Sequence, residues 1–146
     1  MTRFAVLASL ATAVLVGHPN AAHAHQNPED FAARCVAKAE QSLARVRNAI
    51  ADDLHRCLPA IRRAKAAGNR PLAIRLAREC VDSINGTTRA GHNFVRGLCT
   101  RCVDHLLSIG EFRLAARVRA ACGDILDAIE AAGERGRNAV REALYS

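Results

Sequence analysis

Apolar and small residues recur along this chain every three or four positions, in three long stripes separated by charged residues. The first stripe passes through Phe31, Cys35, Ala39, Leu43, Val46, Ile50, Leu54, Cys57, Ile61 and Ala64. The second takes Leu72, Leu76, Cys80, Ile84, Thr88, Gly91, Val95, Leu98, Cys102, Leu106 and Ile109. The third takes Leu114, Val118, Cys122, Ile125, Ile129 and Ala132. This is the period of an amphipathic helix, and alternation of period two occurs nowhere, so the chain reads as all-α.

The punctuation between the stripes agrees. Asn27-Pro28-Glu29-Asp30 supplies an N-cap, a proline suited to the first helical position and two acids on the positive end of the helix dipole. Ala67-Gly68-Asn69, with Pro71 close behind, ends the first stripe, and Gly110 ends the second. Pro59 predicts a kink or split near His55, because it removes a backbone donor and crowds the preceding turn. Asn85-Gly86-Thr87-Thr88 interrupts the second stripe as either a kink or a hairpin. Gly133-Glu134-Arg135-Gly136 frays the third, leaving Val140 to Leu144 as a last short turn or two.

The six cysteines choose between the resulting architectures. In an antiparallel helix pair, residues equidistant from the turn face one another. Cys57 lies eleven residues before Gly68, and Cys80 lies eleven after Asn69. Cys35 and Cys102 lie thirty-three residues to either side of the same turn. Cys99 and Cys122 bracket Gly110-Glu111, again at eleven. One geometry thus selects Cys35–Cys102, Cys57–Cys80 and Cys99–Cys122 from fifteen connectivities. At 100° per residue, Cys35 and Cys57 differ by about 40° around the helix, and so do Cys80 and Cys102. The expectation is three long antiparallel helices in a disulfide-stapled bundle. The alternative, if Asn85-Gly86 is a hairpin, is a compact four- or five-helix array of helical hairpins. A partial repeat also shows: Gly68, Leu72, Ala73, Arg75, Cys80 and Asp82 recur as Gly110, Leu114, Ala115, Arg117, Cys122 and Asp124. It reads as duplication of one helix start.

The first residues change the picture of where the chain resides. Met1-Thr2-Arg3, an apolar run from Phe4 to Val16, and Ala22-His23-Ala24 form a signal peptide over residues 1–24. A single helical domain over 25–146 follows, with no transmembrane segment after cleavage. The predicted localisation is secreted or periplasmic, where an even set of cysteines forms disulfides. The formal charge of the whole chain is +7, and only one of its positive charges, Arg3, falls in the leader. Such a charge favours anionic partners without naming one.

Candidate chemistry is sparse. Cys99-Thr100-Arg101-Cys102 sits mid-helix, whereas a redox pair needs a helix N-terminus to lower its thiol pKa. Cys99, Cys102 and His105 drift along one flank and, with a ligand such as His55, would hold zinc or copper only as free thiolates. His25, at the mature N-terminus, could chelate copper if a second histidine such as His92 were held nearby. Arginines spread over all three helices form a solvated face or a surface for polyanions such as lipopolysaccharide. Nucleic acid suits this chain poorly, since aromatic residues for base stacking are not interleaved with its cations. Asn85-Gly86-Thr87 is a glycosylation sequon only where that pathway operates. The chain contains no recognisable nucleophile triad, carboxylate pair or phosphate loop. It therefore reads as a non-enzymatic interaction or structural module binding a protein or an anionic envelope component, with no cofactor. A metal-handling bundle is the alternative.

Overall fold

The computed structural model describes residues 27–146, and these form three helices: α1 (Pro28–Ala66), α2 (Arg70–Ser108) and α3 (Phe112–Tyr145). α1 and α2 are 39 residues each and α3 is 34. At 1.5 Å per residue the longer two extend about 58 Å. The chain runs up, down and up, so α1 lies parallel to α3, and every helix packs on the other two. Residues 1–24, assigned to a leader by sequence, lie outside the described residues.

Both turns are built alike. Gly68 and Gly110 adopt positive φ, 69° and 81°, a conformation that a Cβ would strain. Gly68 N donates to the Lys65 carbonyl (2.8 Å) and Asn69 N to Ala64 (2.9 Å). Gly110 N and Glu111 N donate likewise to Leu107 (3.1 Å) and Leu106 (2.8 Å). Each is a Schellman closure, which satisfies carbonyls that the helix end leaves open. Asn69 then starts α2, its side chain accepting from Leu72 N at 3.1 Å, as Asn27 starts α1 by accepting from Glu29 N at 2.9 Å.

The disulfides bond Cys35 to Cys102, Cys57 to Cys80 and Cys99 to Cys122, with Cα separations of 6.3, 6.1 and 6.2 Å. These are the pairs that mirror spacing about the two glycine turns selects. Two tie α1 to α2 and one ties α2 to α3. The 42-residue repeat is therefore larger than a helix start. Cys57, Gly68 and Cys80 recur as Cys99, Gly110 and Cys122, so a whole stapled bend occurs twice.

Three sequence expectations give way here. Asn85-Gly86 is neither hairpin nor break, since α2 is helical throughout, and the four- or five-helix alternative falls with it. Pro59 does not split α1. Both Pro59 and His55, whose carbonyl loses a partner, face solvent, where water can replace the missing donor. Gly133 and Gly136 do not fray α3, which continues to Tyr145.

Those glycines are contact points. A Cβ on Gly133 would lie 2.5 Å from Thr88 Oγ1, and one on Gly136 would lie 2.9 Å from Ile50 Cγ2. On α2, a Cβ at Gly91 would collide with the Val46 side chain. Each glycine costs about 1 kcal/mol of helix propensity, offset by the apolar contact that close approach allows. Ile61, Ile84, Val95, Leu106 and Ile129 fill the core, all fully buried, with alanines such as Ala39, Ala73 and Ala115 between them. Thr88, buried mid-core, donates its hydroxyl to the Ile84 carbonyl at 2.8 Å. Among the described residues no buried side-chain polar atom lacks a partner.

Candidate functional site

The flank that sequence offered for metal is occupied by covalent bonds. Cys99 faces α3 and is bonded to Cys122, while Cys102 faces α1 and is bonded to Cys35. Neither presents a thiolate beside His105. The His105 ring packs instead on Phe31, with centroids 4.6 Å apart and planes tilted by 57°. Among the described residues no three His, Cys, Asp or Glu side chains converge as a metal cage. His25 lies outside them.

A polar cluster that sequence did not reveal joins α2 to α3. The Arg137 guanidinium donates to Asn85 Oδ1 at 3.1 Å and to Glu134 Oε2 at 2.7 Å, with Glu130 at 3.6 Å. Arg141 reaches the other Glu134 oxygen at 3.4 Å. Thr88, Arg89 and His92 complete the walls of a shallow cavity of about 290 Å³. The Arg137 hydrogen bond holds the Glu134 carboxyl below its usual pKa of 4.5, against a smaller opposing effect of desolvation, while the Arg137 and Arg141 charges add to the lowering. A lowered native pKa contributes stability above the unfolded value and loses it as pH falls through the native one. Titration of Glu134 by NMR is expected to show a midpoint below 4.5, rising in Arg137→Gln. Equal midpoints in the two proteins would mean that the ion pair is not held in solution. Arg137 is thus a strut between helices, with its donors committed to protein acceptors.

The cations are not evenly spread once the helices are assembled. Between Asp53 and Glu79 the chain carries seven Lys and Arg residues and no acid. This run straddles the first turn, so folding gathers it at one end of the bundle. Arg62, Arg63 and Arg70 are exposed there and Lys65 is partly so. Among the described residues none of these four is in an ion pair, nor is Arg78, whereas Arg75 lies 4.0 Å from Glu79. The opposite end carries Glu29, Asp30, Asp104 and Glu111. There Arg117 pairs with Glu29 at 3.1 Å, beside the exposed apolar residues Ile109 and Phe112. The acid-free run was present in the sequence. It spans the boundary between two helices, so its gathering at one end follows only from the fold.

Two cavities adjoin the basic end, of about 390 and 450 Å³. They share Ile74, Leu144 and Tyr145, between the first turns of α2 and the last turns of α3. Lys65 and Arg70 border the first, and Arg78, Arg141 and Asp82 border the second. Tyr145 is 76% exposed at their junction. The α2 backbone is not the anion-binding element, since Leu72 N is capped by Asn69 and Pro71 has no N–H. Side-chain cations supply the positive potential. Among the described residues no helix is long and apolar enough to cross a membrane. No family model, curated protein or solved structure matches the chain.

Proposed function

We propose that this chain is an exported, non-enzymatic helical module of the cell envelope or extracellular space that engages an anionic partner. The observation that carries the reading is the acid-free run of seven cations, five of them in no ion pair, gathered at one end of a covalently braced bundle. A rigid rod holds its charges at fixed spacing, so binding a polyanion costs little ordering of the protein. Three disulfides suit an oxidising compartment. That supports export as read from the first 24 residues.

The test is retention on an immobilised anionic polymer, such as heparin or a lipopolysaccharide-coated surface, across a salt gradient. Binding through exposed cations is expected to fall steeply between about 50 and 500 mM salt, because screening shortens the reach of surface charge. Retention that does not change with salt would point to an apolar contact and would overturn the electrostatic reading.

A further inference from the structure

The basic end differs from a general cationic surface in what lies beside it. Its unpaired cations border an open cleft that contains Ile74 and Leu144, and the exposed Tyr145 lines it as well. Resting on the anionic-partner reading above, we propose that the α1–α2 turn end docks on an anionic lipid membrane. Lys65, Arg70 and Arg78 meet the lipid phosphates, while Tyr145, Ile74 and Leu144 meet the upper acyl region.

Three features favour a membrane over an acidic protein. Cations occur along all three helices, but the one long run of them without an acid is gathered at the tip of the rod, which suits end-on contact with a plane. Tyrosine is amphipathic and concentrates where apolar and aqueous media meet, with its ring in one and its hydroxyl in the other. The cleft also opens beside the cations, so one approach satisfies headgroup and chain together. The opposite end has exposed Ile109 and Phe112, but there Glu29, Asp30, Asp104 and Glu111 offset Arg34, Arg101, Arg113 and Arg117, which leaves little net attraction for lipid phosphates. Charge therefore selects one pole.

The experiment is vesicle co-sedimentation of the oxidised full chain. Mixed phosphatidylglycerol and phosphatidylcholine vesicles are compared with phosphatidylcholine alone, which reports any uptake through residues 1–24. Tight binding is expected only to the anionic vesicles. Lys65→Glu/Arg70→Glu/Arg78→Glu is expected to weaken it by about a hundredfold, since each cation near such a surface contributes roughly a tenfold gain or less. Ile74→Asn is expected to weaken it by up to about tenfold by removing apolar insertion. Arg34→Glu/Arg101→Glu/Arg113→Glu makes the same charge change away from the basic end and is expected to cost no more than a few-fold. Circular dichroism and a count of free thiols verify that all three variants are folded. Equal losses in the two triple variants would overturn the docking site while leaving anion engagement intact. Stronger binding to polyglutamate than to anionic vesicles would also overturn it, in favour of an acidic protein. Salt-insensitive retention in the polymer experiment is a separate result, and it would remove the reading on which this site rests.

Discussion

Reduction of the three disulfides is expected to abolish the cooperative thermal melt of this bundle and to remove most of its helical circular dichroism at 25 °C. In the chain-entropy picture, closing the 23-residue separations Cys57–Cys80 and Cys99–Cys122 stabilises by about 3 kcal/mol each. The 67-residue separation Cys35–Cys102 gives about 4 kcal/mol. Nesting of Cys57–Cys80 inside the longer loop makes these values less than additive. Their combined scale still rivals the ~5–15 kcal/mol of a whole domain. The core has little with which to compensate. Phe94, Phe112 and Tyr145 are largely exposed, and alanines and glycines occupy much of the interior. Cys35→Ala/Cys102→Ala should therefore lower stability more than Cys57→Ala/Cys80→Ala when both are compared by urea denaturation. A melt unchanged by reductant would show that packing alone holds the helices and that the sulfurs are incidental.

Alanine scanning of the helical glycines is expected to split them by sign. At Gly86 and Gly123 an added Cβ meets open space, so alanine should stabilise by about 0.5–1 kcal/mol through helix propensity and a less flexible unfolded chain. At Gly91 the same Cβ would drive into Val46, which is 5% exposed and β-branched. A stiff side chain locked in a core cannot swing aside. Overpacking of this kind costs about 1–3 kcal/mol, enough to outweigh the propensity gain. Gly136→Ala should follow Gly91, since Ile50 and Ile84 close on that position from two helices. Thermal denaturation of the four variants measures this directly. Stabilisation at Gly91 would mean that the three helices do not approach as closely in solution as described.

These glycines also mark where sequence reading reached its limit. Gly68 and Gly110 are legible as turns because each stands where a stripe ends, and positive φ there is a local requirement. The sulfur pairs were legible because antiparallel geometry turns chain spacing into a distance. Gly86, Gly133 and Gly136 carry the same local signal as a turn. What keeps Gly133 and Gly136 helical lies elsewhere: Thr88 and Ile84 on α2 and Ile50 on α1 fill the space that glycine leaves. Asn85 carries the local signal of a break, yet it receives a hydrogen bond from Arg137, fifty-two residues away. No window along the chain contains both partners. The candidate surface was half legible. Its charge could be read from the acid-free run between Asp53 and Glu79, but the adjoining cleft exists only after the end of α3 is laid against the beginning of α2.

The paired sulfurs at Cys57–Cys80 and Cys99–Cys122 each straddle a bend. A peptide bond severed by a protease at Gly68-Asn69 or Gly110-Glu111 would therefore release no fragment. Each flanking helix would remain fastened to its neighbour eleven residues from the cut, within the same packed face. The backbone between helices is thus the part whose scission the molecule is best built to survive.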